Sequence, residues 1–129
     1  MGNLRAGAAS AIINNELGTD IQGAACRQTV RAIRDDLEAN ALWLETDDTA
    51  LLLITCDLIG LELDYVKAIL PDIAAACGVA SEHILIGCSH THAGPAIMGP
   101  TGPDKPLDTA YLERLRGWLI DLGRRATAD

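Results

Sequence analysis

Two neighbouring stretches of the chain carry the apolar pattern of β-strands. Residues 39–45 and 50–56 are both largely apolar, and the polar residues 46–49 separate them. This arrangement predicts a β-hairpin with a four-residue turn. Because the second stretch is apolar on both faces, we expect it in the middle of a sheet. Two shorter apolar segments, 4–9 and 84–88, predict further strands.

Two other stretches show helical spacing. In residues 61–77, one apolar stripe predicts a helix, formed by Leu63, Val66, Leu70, Ile73 and Cys77. Pro71 lies inside this helix and is expected to kink or split it, and Gly78 is expected to end it. In residues 107–126, a second stripe predicts a long helix with Asp108 as its cap, formed by Tyr111, Leu115, Trp118 and Leu122.

The remaining segments read as turns and loops. Residues 14–18 form a predicted turn, and residues 19–25 a predicted loop. Residues 27–37 have partly helical spacing, but two adjacent aspartates favour a solvated, salt-bridged surface turn. Residues 94–106 hold four of the five prolines, which excludes helix and central strand. This loop is either a pocket wall or an ordinary connector.

The order of elements predicts an α/β fold. Strand 50–56, helix 61–77 and strand 84–88 form a strand-helix-strand crossover, which makes the two strands parallel. This order predicts that residues 1–129 form a single α/β unit, and we expect this unit to belong to a larger domain. It has a mixed sheet of about four strands, that crossover and a long C-terminal helix.

Parallel strands end at the same edge of a sheet, and this edge carries the candidate chemistry. Asp57 follows the first strand, and His90 and His92 follow the second, so all three are expected to crowd the carboxyl edge. His83 lies at the opposite end of its strand. Side chains at i and i+2 of an extended segment point to the same side, so both imidazoles are expected to face one ion. Neutral imidazole suits zinc.

Each candidate also has a simpler interpretation. A His-x-His pair without context is often two surface or hydrogen-bonding histidines. Asp57 either orients a metal-bound histidine or caps a turn. A catalytic zinc usually takes three protein ligands, and this cluster offers two, with Asp57 as a third candidate.

Composition and charge narrow the functional classes. The chain is 49% hydrophobic but only 3% aromatic, which predicts a globular core of aliphatic side chains. The formal net charge of −8 argues against nucleic acid and anionic membrane surfaces as partners. We see no transmembrane stretch and no signal peptide, so we expect a cytoplasmic protein. The four cysteines are expected to be reduced, mostly buried thiols.

Two segments give the chain a family resemblance. The run from Leu51 to Gly60 (LLLITCDLIG), followed by a helix and then Ile84 to Pro95 (ILIGCSHTHAGP), resembles the amino-terminal part of the catalytic domain of the neutral/alkaline, non-lysosomal ceramidases. Asp20-Ile21-Gln22-Gly23 and residues 34–44 look like the opening loops and strand of that family. Only the His-Thr-His segment is a specific motif.

The resemblance implies a zinc-dependent amidohydrolase that cleaves ceramide to a sphingoid base and a fatty acid. It implies that His90 is a zinc ligand and that His92 lies beside the metal and contacts the reacting group, while Asp57 is a further catalytic candidate. The family's remaining ligands, a His, a Glu and a Tyr, lie much later in a longer chain. The resemblance therefore implies an incomplete fragment, although family members are often secreted.

Two other functions stay open. Another class of His-x-His metallohydrolase is possible, although Ala93-Gly94-Pro95 does not fit metallo-β-lactamases and the chain is too short for an amidohydrolase barrel. The non-enzymatic alternative is an α/β interaction domain whose histidines only form hydrogen bonds. A truncated sheet would leave an unpaired edge, so we also expect the chain to self-associate.

Overall fold

A four-stranded mixed sheet forms the centre of the molecule. The computed structural model describes residues 3–23, 28–99 and 106–128. The strands lie in the order β1-β4-β5-β6, where β1 is Arg5–Ile12, β4 is Glu38–Glu45, β5 is Ala50–Cys56 and β6 is Ile84–Cys88. Two short strands, β2 (Asp20–Ile21) and β3 (Gln28–Thr29), pair separately. The predicted α/β class with about four strands is confirmed.

The predicted hairpin is present. Strands β4 and β5 pair antiparallel from Ala39↔Cys56 to Glu45↔Ala50. The backbone N–H of Thr46 donates to the carbonyl of Thr49 at 2.8 Å, which closes the four-residue turn. Strand β5 lies between β4 and β6, as predicted for a central strand.

The predicted crossover is also present. Helix α1 (Leu63–Cys77) joins β5 to β6, and these strands pair in parallel through Cys56↔Cys88. Gly78 adopts a left-handed conformation with φ of 67°, and its N–H donates to Ala74 at 2.9 Å, which ends the helix as predicted.

Two details of α1 differ from the sequence-based expectation. The helix continues unbroken through Pro71, because the ring faces solvent and the carbonyl it leaves without a partner belongs to exposed Lys67. Its buried residues are Ile69 and Ile73, whereas Leu63, the first helical residue, is 65% exposed.

Helix α2 (Thr109–Ala128) closes the core. Asp108 caps it as predicted, because its carboxylate accepts the N–H of Tyr111 at 2.9 Å. Trp118 is only partly buried and packs edge-on against Tyr111, while Leu119 takes the buried place that the sequence assigned to Trp118. The other buried side chains of α2 include Tyr111, Leu115 and Leu122, as expected.

The irregular segments follow the predictions except that two short strands, β2 and β3, lie within them. Residues 30–37 are not helical, and Arg34 forms an exposed ion pair with Asp35 at 2.8 Å. The predicted loop over 19–25 contains β2, a detail that the sequence did not indicate. Cys26, Arg27, Pro100 and Pro103 lie outside the described residues. In the described part, Cys56, Cys77 and Cys88 are free thiols, as expected.

Both helices pack on one face of the sheet. Helix α2 contacts β1 and β4 on this face, and α1 contacts α2. The opposite face is open: Leu42 is 40%, Leu51 41% and Leu85 61% exposed. Strand β5 is thus central, as predicted, but one of its two apolar faces is open. In the three described ranges, no helix is long and apolar enough to cross a bilayer.

Candidate metal centre

The predicted site lies where β5 and β6 end together. Their last register pair is Cys56↔Cys88, so Asp57 and Ser89 leave the sheet side by side. The two loops then stay connected, because Ser89 N–H donates to Cys56 O and His90 N–H to Leu58 O, each at 3.0 Å. The crossover thus brings residues thirty positions apart to one edge, as the topology predicts.

His90 is held by a specific hydrogen bond. Its Nδ1 lies 2.7 Å from the carbonyl oxygen of Ile59. Because a carbonyl oxygen only accepts, Nδ1 carries a proton, and in the neutral imidazole Nε2 then has the free lone pair. Metal-binding histidines are commonly oriented in this way by a backbone carbonyl. The ring is exposed, so Nε2 is accessible.

His92 lies beside His90, but not for the predicted reason. The ring centroids are 5.0 Å apart and the ring planes meet at 67°. Strand β6 ends at Cys88, and His90 has a left-handed backbone with φ of 64°. The segment is therefore not extended, and the i, i+2 alternation of a strand does not apply. A left-handed turn at His90 brings the rings together instead.

Asp57 shares this edge but makes its hydrogen bond elsewhere. Its carboxylate accepts the backbone N–H of Glu38 at 3.1 Å, and its own N–H donates to Glu38 O at 2.8 Å. Glu38 begins β4, on the side of β5 away from β6. The observed contact thus matches the simpler of the two predicted roles, fastening a turn. A catalytic role for Asp57 stays a prediction.

The thiols at this edge are protonated at neutral pH. Burial, reinforced by the nearby Cys88 and Asp57, raises the pKa of Cys56 to about 12. Burial also raises the pKa of Cys88 above its ordinary value. Both side chains pack in or against the core, which agrees with the prediction of core thiols.

Gln22 is a site residue whose role the sequence did not reveal. Its Oε1 accepts the N–H groups of Ile97 and Met98, each at 2.9 Å, and its Nε2 donates to Met98 O. Its backbone N–H donates to Gly94 O at 3.0 Å. Gln22 therefore fixes the loop that follows the histidines. No local pattern signals a contact across 76 positions.

A cleft of about 440 Å³ adjoins the histidine loop. Thr91 and Ala93 line one side, and residues 30–37 line much of the rest. Among the described residues of the proline-rich loop, 94–99 do not line this cleft, and Gln22 braces them instead. The segment 30–37 forms a wall of the cleft. The prolines at 100 and 103 lie outside the described residues.

The side chains at this edge determine how well zinc would fit. His90 and His92 offer two neighbouring imidazoles, and the free Nε2 of His90 is the atom that zinc needs. Within the ranges that the structure covers, no three His, Cys, Asp or Glu side chains converge closely enough to hold a metal ion. The residues fit part of a zinc site, and further ligands are needed. His83 lies at the other end of β6, where its Nδ1 is 3.4 Å from Thr49 Oγ1.

Solved structures share this fold. Neutral ceramidase from Pseudomonas aeruginosa superposes with a TM-score of 0.80 at 19% identity over 99% of this chain. A ceramidase complexed with C2 superposes with a TM-score of 0.78, also at 19% identity over 99% of this chain. In both cases the chain spans 22% of the ceramidase. No family model matches the chain, and no curated protein is significantly similar to it. The resemblance noted in the sequence is confirmed at the level of the fold.

Proposed function

We propose that the chain is part of a zinc-dependent hydrolase of linear amides with ceramidase-like activity. The substrate class would be a ceramide-like lipid amide, and the products a sphingoid base and a fatty acid. The observation that carries the proposal is the hydrogen bond from His90 Nδ1–H to Ile59 O, which leaves Nε2 free beside a second imidazole. The fold shared with neutral ceramidase supports the substrate class.

Each residue has a defined role in this proposal. His90 Nε2 holds the metal, and Ile59 O keeps its ring in the required tautomer. Zinc, when bound, polarises an amide carbonyl and makes water nucleophilic near neutral pH. His92 donates a hydrogen bond to the oxygen that becomes negative, or passes a proton to the departing amine nitrogen. Asp57 supports the edge through Glu38.

A zinc site that starts from two imidazoles needs further ligands. The chain spans 22% of each ceramidase that it superposes on, and it supplies two imidazoles. We propose that the remaining ligands come from a later part of such a polypeptide. The coding sequence beyond codon 129 tests this directly, because it would have to continue with further His, Glu and Tyr residues. A cytoplasmic location also stays a prediction, which cell fractionation of that full product would check.

Substitution of His90 tests the metal site. The chain has three histidines, so their imidazole NMR signals can be assigned by single substitution. We expect added zinc to move the signals of His90 and His92 and to leave that of His83 unchanged. His90→Ala should abolish the zinc response, because it removes the oriented Nε2, whereas the matched control His83→Ala should retain it. Equal zinc affinity in both variants would refute the assignment.

The non-catalytic alternative is favoured by one observation, the lack of a third converging ligand in the described ranges. It predicts that zinc changes neither the imidazole signals nor the melting temperature of the chain. A zinc response of the His90 and His92 signals in the same titration would therefore contradict this alternative.

A further inference from the structure

Gly23 approaches His92 more closely than any other residue type could. Its backbone has φ of 99°, and a Cβ placed on it would lie 2.5 Å from His92 Cγ, 2.8 Å from Cβ and 2.9 Å from Nδ1. Distances below 3 Å between such atoms do not occur without displacement. The imidazole of His92 therefore occupies the space that a side chain at position 23 would need, and its Nδ1 edge faces Gly23.

The backbone at Gly23 cannot easily retreat. The preceding residue, Gln22, binds the backbone of Gly94, Ile97 and Met98 through its own main chain and side chain. Ile21 pairs with Pro95 in an isolated β-bridge. Residues 21–23 thus form a brace that is fastened to the same loop that carries His92. A side chain added at position 23 would have to move the ring, because Ile21 and Gln22 are fastened to the loop that follows His92.

We propose that Gly23 is a positioning residue, whose missing side chain lets the brace 21–23 set the place of the His92 ring beside His90. This inference deepens the proposed function and rests on it for its catalytic meaning. The packing itself does not depend on zinc. With its Nδ1 edge against Gly23, the ring presents Nε2 as the atom available for substrate.

The test compares Gly23→Ala with Gly18→Ala. Both glycines have positive φ, 99° and 86°, so alanine strains both backbones, but a Cβ on Gly18 meets nothing within 4 Å. We expect Gly23→Ala to lower the melting temperature more than Gly18→Ala does. In a His92→Gly background both the ring and the Cβ of residue 92 are gone, and the two substitutions should then have equal effects. An excess effect of Gly23→Ala that persists in the His92→Gly background would overturn the proposal.

An NMR readout separates positioning from simple structural damage. Gly23→Ala should shift the imidazole signals of His92 and weaken its contacts with His90, while the signals of His83 stay in place. Gly18→Ala should leave all three rings unchanged. Unchanged His92 signals in folded Gly23→Ala would also overturn the proposal.

Zinc then distinguishes this proposal from the proposed function. If both hold, zinc still moves the His90 signal in Gly23→Ala but no longer moves that of His92. If zinc, even in large excess, moves neither signal in the unsubstituted chain, His90 and His92 are not part of a zinc site, and the comparison with His92→Gly still decides the packing. If zinc moves His92 as strongly in Gly23→Ala as in the parent, Gly23 does not position the ring.

Discussion

Single hydrogen bonds decide the chemistry of this edge. The sequence predicted which side chains gather here, because strand order alone places Asp57, His90 and His92 at the ends of β5 and β6. It could not predict that Ile59 O orients His90 or that Asp57 binds Glu38, because both contacts depend on loop conformation.

A substitution of Gln22 tests how the brace 21–23 holds the loop that follows the histidines. In Gln22→Glu, the carboxylate still accepts from Ile97 and Met98, but its second oxygen faces the carbonyl oxygen of Met98 instead of donating to it. The substitution removes the N–H donor to Met98 O and leaves two acceptor oxygens facing each other in a part-buried place. We expect this to lower the free energy of unfolding by about 1–3 kcal/mol at pH 7.5.

Acid should reverse part of this loss. The facing carbonyl raises the pKa of the introduced carboxyl above the ordinary value of about 4.3. The protonated form can donate to Met98 again, so the destabilisation should shrink as pH falls through that raised pKa. Urea unfolding at pH 7.5 and 4.5 measures both effects, and Gln28→Glu, at an exposed position, is the control. A loss independent of pH would contradict the assigned hydrogen bond.

Whole elements were the most predictable part of the molecule. The hairpin, the crossover and α2 follow from apolar periodicity and from caps such as Asp108 and Gly78. Periodicity failed where tertiary position decided burial. Leu63 belongs to the apolar stripe of α1, yet it lies at the start of the helix and is exposed to solvent. Pro71 is tolerated because its side of the helix is exposed to solvent.

The two glycines of α2 should respond to alanine with opposite signs. A Cβ on Gly117 meets nothing within 4 Å, whereas one on Gly123 would lie 2.6 Å from Cys77 Sγ and 3.3 Å from Leu52 Cδ2. Gly117→Ala should stabilise the chain by about 0.5–1 kcal/mol, because alanine favours helix. Gly123→Ala should destabilise it by about 1–3 kcal/mol through overpacking. Urea unfolding followed by circular dichroism measures both. Stabilisation by both would mean that α1 and α2 pack less closely than described.

The whole molecule has one covered and one open sheet face. The register places mostly uncharged residues on the open face, with Glu38 as the charged exception at one end: Ala6, Ala8, Ser10, Ile12, Asn40, Leu42, Leu44, Leu51, Leu53, Thr55, Leu85 and Gly87. Strands β1 and β6 are the two edges of this sheet. Exposed apolar surface of this kind marks an interaction surface, and unpaired edges add to it.

We therefore expect the isolated chain to self-associate. Leu85 lies on both the open face and the edge strand β6 and is 61% exposed, while Leu63 is 65% exposed on the helical side. Leu85→Lys should reduce association, because it places a charge in the contact, and Leu63→Lys should not. Light scattering over a range of concentrations measures this. A monomer at high concentration, or equal effects of both substitutions, would contradict it.

The left-handed backbone at His90 has a consequence for sequence drift. A residue with a Cβ in this conformation is disfavoured by roughly 1–2 kcal/mol, and glycine or asparagine would fit with less strain. If His90 binds a metal as proposed, the need for its imidazole offsets that preference. Homologues that keep this fold but have lost the activity should therefore accumulate glycine or asparagine at position 90. A survey of this codon in genomes would then distinguish active homologues from inactive ones.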